Sequence, residues 1–259
     1  MPTDQETIDW YNQNAEEYAQ HVRNPDDSIF HSLYEKPAMY GLLPDLAGKS
    51  VLSLGCGSGE DSKYLKDQGA NRSVGIDISE KLIKIAASTY RDCEFLTMDM
   101  ELLDFPDASF DFAFASLAIH YLEQWSQALK EIYRVLQPNS YFLFSCNHPV
   151  TTAMRKTESS EVKSIKQLAL ISNKQEGTIE VIGDYLDRHE HNYGLIRSEG
   201  VTTWHKPFSE IIGESLAAGF SLDCLIEPRP LEKMREVSPK NYSRLNKVPF
   251  FLIIRLHKA

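Results

Sequence analysis

The sequence has few cysteines and no long apolar run. Its four cysteines, Cys56, Cys93, Cys146 and Cys224, lie far apart, so there is no C-x-x-C metal or redox motif. No segment approaches the ~20 apolar residues that cross a bilayer. The N-terminal residues are acidic and polar, unlike a signal peptide. We therefore expect a cytoplasmic protein with reduced thiols and no membrane segment.

Positive charge is also scarce. Lysine and arginine together number 27, against 37 aspartates and glutamates, and the net charge is −10. Such a chain does not attract phosphate backbones, so nucleic acid is a poor candidate partner. Motifs of the G-x-S-x-G and H-E-x-x-H kinds are absent too, which gives no support for a serine hydrolase or a zinc protease.

Short apolar runs alternate with amphipathic segments between residues 50 and 145. This alternation predicts a parallel sheet with helices on both faces, in a single domain over residues 1–259. The predicted strands are Ser50 to Leu54, Ser73 to Ile76, Glu94 to Thr97, Phe110 to Ala115 and Tyr141 to Ser145.

The flanking segments follow other patterns. Helical spacing over residues 4–20 and 28–43 predicts a helical N-terminal region, 1–48. Residues 150–205 are polar with weak periodicity and too long for an ordinary loop, which indicates an inserted cap or partial disorder. A helix at 209–218 and strands at 221–226 and 249–256 complete the predicted fold.

The run from Val51 to Gly59 carries three glycines, Gly55, Gly57 and Gly59, between the first strand and a helix. Glycine tolerates positive φ and lets a ligand approach the main chain closely. This loop lies at the carboxyl end of a strand, where doubly wound folds bind ligands. A tight strand-to-helix turn is the alternative interpretation.

Two acids end the next two strands. Asp77 follows the second strand and is placed to accept hydrogen bonds from both hydroxyls of a ribose. It is not needed as a helix cap, because Ser79 fills that role. Asp99 follows the third strand, between Met98 and Met100. The set fits an adenosine laid across the ends of strands one to three.

A dinucleotide is the alternative ligand. Its fingerprint places the third glycine three residues after the second, where this chain has Glu60. A carboxylate at that helix start also opposes a pyrophosphate.

Together these features resemble the class I S-adenosylmethionine-dependent methyltransferases of the type 11 group. Further matching segments are Ala115 to Tyr121, Leu129 to Leu136 and the N-terminal Tyr11 and Tyr18. The resemblance implies a Rossmann-like, doubly wound α/β fold with seven strands in the order 3-2-1-4-5-7-6, the last one antiparallel. It also implies that residues 1–48 form a helical lid and that residues 150–205, between strand five and the last helix, cover the substrate.

The chain departs from the family pattern at two turns. Gln137-Pro138-Asn139-Ser140 replaces the usual Lys-Pro-Gly-Gly, and asparagine tolerates the left-handed conformation needed there. His205-Lys206-Pro207 replaces His-Arg-Pro, so a bidentate carboxylate contact by an arginine is not expected.

The cofactor implied is S-adenosyl-L-methionine, with S-adenosyl-L-homocysteine as the product. The residues predicted to contact it are Tyr11, Tyr18, Gly55, Cys56, Gly57, Gly59, Asp77, Ile78, Met98, Asp99, Met100 and Ser116. No metal site is predicted.

Methyl transfer requires mainly positioning and exclusion of water, but a hydroxyl acceptor also benefits from a general base. The candidates are His120 after strand four, His148 after strand five and His205 on the return from the cap. Their structural alternatives are a packed core histidine, a turn residue before proline and a cap residue.

The acceptor class is narrowed by two missing motifs. The Asp/Asn-Pro-Pro-Tyr/Phe segment of adenine and glutamine methyltransferases and the Pro-Cys of cytosine C5 enzymes do not occur. We expect transfer to a small molecule by a monomer or homodimer. A non-catalytic adenosylmethionine-binding protein and a nucleotide-dependent oxidoreductase remain alternatives.

Overall fold

The computed structural model describes residues 3–157, 165–173, 177–195 and 198–259. At its centre is a seven-stranded mixed sheet in the order β3-β2-β1-β4-β5-β13-β12. These strands are β1 (Ser50–Leu54), β2 (Arg72–Asp77), β3 (Glu94–Thr97), β4 (Phe110–Ala115), β5 (Leu136–Asn147), β12 (Ser221–Ile226) and β13 (Phe251–Lys258). Strands β1 to β5 are parallel, and β13 runs antiparallel to both β5 and β12. The predicted fold and strand order are confirmed.

The central strands are apolar because helices cover both of their faces. Phe112 and Phe114 of β4 pack in one buried cluster, whereas Phe110 and Ala113 pack in the other. A strand buried on both sides gains no advantage from polar alternation, so it appears in the sequence as a continuous apolar run. Edge strand β3 is mostly exposed.

Ten α-helices occur in the described part of the chain. They are α1 (Gln5–Gln13), α2 (Ala15–Arg23), α3 (Lys36–Tyr40), α4 (Glu60–Asp67), α5 (Glu80–Thr89), α6 (Ser126–Val135), α7 (Pro149–Thr152), α8 (Phe208–Ala217), α9 (Lys233–Val237) and α10 (Pro239–Leu245). Helix α5 begins after Ser79, whose hydroxyl accepts a hydrogen bond from the Leu82 N–H, as predicted.

The predicted N-terminal helix is interrupted at Asn14. This residue leaves the helical conformation, and its side-chain amide donates to the Trp10 carbonyl that ends α1. Two helices, α1 and α2, therefore replace the single one expected. Asparagine competes for backbone groups in this way and is a weak helix former.

A π-helical turn, His31–Glu35, precedes α3. It closes with a hydrogen bond from the Lys36 N–H to the His31 carbonyl. Pro37 has no N–H to donate to the Leu33 carbonyl, which instead accepts a hydrogen bond from the Leu231 N–H at 2.8 Å. The missing donor and this outside partner account for the wider turn.

Three antiparallel hairpins lie in the predicted cap. They pair β6 (Arg155–Thr157) with β7 (Ile165–Gln167), β8 (Ala169–Asn173) with β9 (Thr178–Ile182), and β10 (His189–Leu195) with β11 (Ser198–His205). Residues 158–164, 174–176 and 196–197 of the predicted cap lie outside the described residues.

Candidate functional site

A pocket opens at the carboxyl ends of strands β1 to β4, under helix α1. It encloses about 860 Å³ of empty space that is partly open to solvent. Every residue predicted to contact the cofactor lines it except Cys56 and Gly59. The lining residues that were not predicted are Thr3, Thr7, His31, Ile76, Leu82, Leu117, Ala118 and Tyr121.

The glycine loop has the backbone that the sequence predicted. Gly55, Gly57 and Gly59 have φ values of 60°, 55° and 93°, which side chains rarely adopt. A Cβ on Gly55 would lie 2.4 Å from the Cβ of Ala118, and one on Gly57 would lie 3.3 Å from the Tyr18 ring. The bare main chain therefore forms part of the pocket wall.

Cys56 and Gly59 shape the loop from behind. The Cys56 side chain is buried, and its N–H donates to the Ile76 carbonyl at 2.9 Å. Gly59 caps α4 in the left-handed conformation, where a Cβ would meet Phe95 and Ala86 at 2.8 and 2.9 Å. Neither residue lines the pocket, so direct cofactor contact by them stays a prediction.

Asp77 lies at the centre of the polar contacts. Its Oδ2 accepts a hydrogen bond from the Gly57 N–H at 2.9 Å, and its Oδ1 accepts one from the Ser79 N–H at 2.8 Å. Each carboxylate oxygen still has acceptor capacity toward the pocket. Burial raises the pKa of the Asp77 carboxyl, and hydrogen bonds from the Ser79, Gly57 and Ile78 backbone oppose that rise. The carboxylate thus ties the loop after β1 to the end of β2.

Asp99 comes just after β3, on the same edge of the sheet as Asp77. Its Oδ1 accepts from the Glu101 N–H at 2.9 Å, and Met98 and Met100 line the pocket on either side. The Met98 N–H donates to the Asp77 carbonyl, so the two acid-bearing strand ends are held side by side.

Glu60 is compensated by a cation from the N-terminal helices. Its Oε1 accepts from Arg23 Nε at 2.7 Å, and its Oε2 accepts from the Ser58 hydroxyl at 2.6 Å. The Arg23 ion pair offsets the negative charge that the sequence argument placed at the helix start. Glycine spacing, rather than repulsion by Glu60, is therefore the stronger argument against a dinucleotide.

Aromatic residues of α1 and α2 cover the loop. Tyr11 and Tyr18 pack edge to face, with ring centroids 5.3 Å apart. The Tyr11 hydroxyl lies 2.5 Å from the hydroxyl of Tyr121, which follows β4. In addition, the Thr202 N–H of β11 donates to the Thr7 hydroxyl at 3.2 Å. Helix α1 thus joins the pocket to the last hairpin of the cap.

Ser116 directly follows β4 and belongs to a polar cluster that is largely buried. Its hydroxyl accepts from Lys36 Nζ at 3.0 Å and donates to Glu35 Oε1 at 3.0 Å. The Lys36 ammonium also forms an ion pair with Asp61, which in turn accepts from the Tyr40 hydroxyl. Burial raises the pKa of the Glu35 carboxyl. This cluster was not predicted, because its members are adjacent only in the folded chain.

None of the three predicted catalytic histidines lines the pocket. His120 is buried beside Tyr121, with its Nδ1 accepting from the Asn147 N–H at 3.3 Å and its Nε2 unpartnered. Burial lowers the pKa of His120 to about 3. His120 therefore lies behind the pocket wall, in the place predicted after strand four.

The other two candidates are occupied in structural contacts. His148 Nδ1 accepts from the Val150 N–H at the start of α7, and its Nε2 lies 2.9 Å from Glu227 Oε1. His205 Nδ1 accepts from the Thr152 hydroxyl at 2.6 Å, and its Nε2 donates to the Tyr185 carbonyl at 2.9 Å. A catalytic role for these histidines stays a prediction.

The structure shows what the departing residues do in the two turns that differ from the family pattern. Asn139 adopts a φ of 59°, as predicted for asparagine in place of glycine. Lys206 is buried, forms an ion pair with Glu214 and lies over the Trp125 ring at 5.4 Å. Its ammonium is thereby held inside the protein rather than presented to a ligand.

Comparison with known proteins now adds to this geometry. The sequence model of a family described as "Methyltransferase domain", of the type 11 group, matches residues 52–144. This segment runs from the glycine loop to strand β5. Residues 52–144 are thus similar to a type 11 methyltransferase domain. The predicted family is confirmed, and with it the enzyme class and S-adenosyl-L-methionine as the cofactor of that family.

Two curated relatives differ in how much of their length is matched. An uncharacterized protein of Haemophilus influenzae is 29% identical over 206 residues, which cover 76% of this chain and 77% of that protein. A malonyl-[acyl-carrier protein] O-methyltransferase of Pseudescherichia vulneris is 32% identical over 134 residues. The second match covers 51% of this chain and 49% of that enzyme, so only about half of the relative is represented.

Solved structures agree on the fold. An S-adenosylmethionine-dependent methyltransferase from Mesorhizobium loti superposes with a TM-score of 0.71 at 24% identity, over 90% of this chain and 99% of the other. One from Listeria monocytogenes, described as putative, gives a TM-score of 0.67 at 23% identity, over 87% and 96% of the two chains.

The described residues contain no helix long and apolar enough to cross a membrane. They also contain no group of three or more histidine, cysteine, aspartate or glutamate side chains arranged to hold a metal ion.

Proposed function

We propose that this chain transfers a methyl group from S-adenosyl-L-methionine to a small-molecule acceptor. The observation that carries the proposal is the Asp77 carboxylate, which bonds to the glycine loop and still faces the pocket. A carboxylate with free lone pairs at this strand end suits the two hydroxyls of a ribose.

The order of the strands supports one orientation of the ligand. With the ribose at Asp77 on β2, the adenine lies toward Asp99 on β3, beside Met98 and Met100. The methionyl part then lies over the glycine loop of β1 and Ser116 at the end of β4. Tyr11 and Tyr18 cover it from the N-terminal helices. Their apolar rings exclude water from the reacting atoms.

The residues present fit this cofactor in shape and charge. The three left-handed glycines leave the main chain bare, and the only charged side chains among the described lining residues are the two aspartates. When bound, S-adenosyl-L-methionine supplies the methyl group together with its leaving group. The protein's tasks are to orient the acceptor in line with the methyl carbon and to keep water out.

The covering segments are part of the proposal. Residues 1–48 act as a lid, supported by the contacts of Arg23 with Glu60 and of Tyr11 with Tyr121. Residues 150–205 act as a substrate cap, supported by the hydrogen bond between Thr202 and Thr7. The O-methyl transfer named for the Pseudescherichia vulneris relative supports oxygen as the acceptor atom.

Calorimetry tests the cofactor assignment first. S-adenosyl-L-methionine and S-adenosyl-L-homocysteine are expected to bind, whereas NADH is not. Incubation with methyl-labelled S-adenosyl-L-methionine and a metabolite extract then tests catalysis. Binding without any labelled product would favour a non-catalytic binding protein, and binding of NADH alone would favour an oxidoreductase.

A further inference from the structure

The hairpin of β8 and β9 carries an exposed aliphatic face. Leu170 pairs with Val181 across the two strands, and Ile179 lies two residues before Val181. Cross-strand partners and residues two apart share one face of a sheet, so these three side chains form the aliphatic face. Their exposed fractions are 75% for Leu170, 63% for Val181 and 67% for Ile179. A contiguous exposed apolar surface, unlike a single exposed leucine, indicates an interaction site.

The other face and the edges of this hairpin are polar. Glu180 lies on the other face, where it pairs with Ile171. Both strands have an open backbone edge in the described chain, because the sheet they form has two strands only. Unpaired N–H and C=O groups are not tolerated in hydrocarbon. The hairpin therefore suits a boundary between water and an apolar phase, and it is not suited to the interior of a bilayer.

A cationic hairpin lies beside the aliphatic one. In the pairing of β6 with β7, Lys156 lies directly opposite Lys166, an arrangement of like charges that is destabilising. The bases of the two hairpins meet at Gly183, which follows β9. A Cβ on Gly183 would lie 2.7 Å from the carbonyl oxygen of Ala153, before β6, and 2.7 Å from the Leu168 side chain, between β7 and β8. Both hairpins thus leave the core of the protein at the same place.

Helix α10 extends the cationic side of this region. Partial burial lowers the pKa of the Lys166 ammonium, and the neighbouring Lys156 and Arg244 charges lower it further. Lys240 lies four residues before Arg244, on the same face of α10. The side chains of Arg155, Lys156, Lys240 and Arg244 are exposed. Together with Lys166, these four residues form the cationic surface.

The cationic surface has no acidic partner in the part of the chain that the structure describes, although the net charge of the sequence is −10. Eleven other lysines and arginines do form ion pairs with carboxylates. Charges of one sign without compensating acids produce a local positive potential, which attracts an anionic partner.

An anionic lipid surface is the occupant that matches both features. Amphipathic elements with basic residues beside an apolar face bind at the headgroup boundary of anionic membranes. A second copy of the chain would bring the same cations to the interface from both sides, and three aliphatic side chains supply only a small part of the ~800 Å² that each partner contributes to a stable interface. A nucleic acid would engage the cations and leave the aliphatic face in water.

We propose that the cap docks on an anionic lipid surface, with Leu170, Ile179 and Val181 at the boundary between headgroups and acyl chains and the cationic surface against the headgroups. The open backbone edges of the hairpin stay in the hydrated headgroup layer. Attachment of this kind is peripheral and requires no membrane-spanning helix. It is independent of methyl transfer, so its test does not depend on the proposed function.

Sedimentation with lipid vesicles tests the proposal on the full chain. Vesicles of phosphatidylcholine alone are compared with vesicles that also contain about 30 mol% phosphatidylglycerol. We expect the protein to bind the anionic vesicles ~10-fold or more tightly than the neutral ones, and high salt to weaken this binding. Absence of binding to the anionic vesicles, or equal binding to both kinds, would overturn the proposal.

Leu170→Ser tests the aliphatic face. Leu102→Ser is the matched control, because Leu102 is also 75% exposed but lies between β3 and β4. Leu170→Ser is expected to weaken binding to anionic vesicles by ~10-fold, and Leu102→Ser by about twofold or less. Equal binding by the two variants would overturn the proposal, because charge attraction alone is also what a nucleic acid would use.

The double variant Lys156→Gln/Lys166→Gln tests the cationic surface. Its control, Lys81→Gln/Lys130→Gln, removes two exposed lysines from α5 and α6 and changes the net charge equally. The first variant should lose ~10-fold or more in affinity for anionic vesicles, and the control about twofold or less. Equal losses in the two variants would show that net charge alone matters and would overturn the proposed surface.

Sedimentation velocity without lipid tests whether a second copy covers the aliphatic face. We expect the wild type and Leu170→Ser to show the same oligomeric state. A wild-type dimer that dissociates in Leu170→Ser would assign the face to self-association and overturn the lipid proposal. Thermal melts check that each variant folds, and the comparison of anionic with neutral vesicles needs the wild type alone.

Discussion

Replacement of Asp77 by alanine should weaken cofactor binding through the ribose. The carboxylate has acceptor capacity left for two hydroxyls after its bonds to Gly57 and Ser79. A hydrogen bond to a charged group contributes about 1.5–3 kcal/mol. Since 1.4 kcal/mol is a factor of ten, losing the equivalent of one such bond in Asp77→Ala is expected to raise the Kd for S-adenosyl-L-homocysteine by ~10- to 100-fold.

The same substitution also frees the N–H groups of Gly57 in the loop and of Ser79 after β2, so affinity alone does not separate the loss of the ribose contacts from a change in backbone shape. A double-mutant cycle with 2′,3′-dideoxy-S-adenosyl-L-homocysteine does. For the dideoxy ligand, Asp77→Ala should raise the Kd by about threefold or less. Asp99→Ala, the matched control, should weaken both ligands by the same factor, because it faces the adenine in the proposed orientation.

Isothermal calorimetry supplies the four dissociation constants of each cycle, and circular dichroism checks the fold. If Asp77→Ala weakens the natural and dideoxy ligands equally, the carboxylate only shapes the loop. The ribose assignment, and with it the proposed orientation of the cofactor, would then be wrong.

Three further predictions concern stability. Gly55→Ala should lower the thermal midpoint and abolish cofactor binding, because its Cβ would meet that of Ala118 at 2.4 Å in a left-handed backbone; a fully stable variant would contradict this close packing. Because the pKa of His120 is lowered to about 3, the unfolded state binds the extra proton between that pH and about 6.5. The free energy of unfolding should therefore fall as pH drops through this window. Urea titrations at pH 7 and pH 5 measure that fall, and it should be smaller in His120→Phe than in the wild type. An equal fall in both proteins would show that His120 is not the source. Lys206→Met should cost about 3 kcal/mol by removing the buried ammonium that pairs with Glu214, whereas Lys206→Arg should keep most of the stability in denaturant melts. No difference between the two variants would argue against the ion pair as the cause.

The sequence was most informative where periodicity and local chemistry agree. Strands β1, β3 and β4 were predicted with their observed bounds. For β1 and β4, apolar runs between turn residues are typical of a parallel strand buried on both faces. The Gly55–Gly59 conformations and the left-handed Asn139 were predictable for the same reason, since each depends on its own residue type.

The parts that were not predicted depend on contacts between distant segments. The hairpin of β8 and β9 has mostly exposed side chains and lies outside the central sheet, so the βα alternation that marks the other strands does not extend to it. Helices α9 and α10 are short, and neither gave a recognisable apolar stripe. The π-turn at His31 requires the Leu231 N–H, which lies far along the chain. His31 was therefore overlooked in favour of histidines that follow strands.

The attachment of the N-terminal helices has a consequence for folding during synthesis. Their bonds reach forward along the chain by 37 residues from Arg23 to Glu60 and by 195 residues from Thr7 to Thr202. The N-terminal helices are synthesised first, but the residues that they bond to are synthesised later. Contacts of such long sequence separation form slowly. The parallel strands can pair beforehand. The covering of the pocket is then completed late in biogenesis, so a chain interrupted before β11 would contain a formed glycine loop without its full covering.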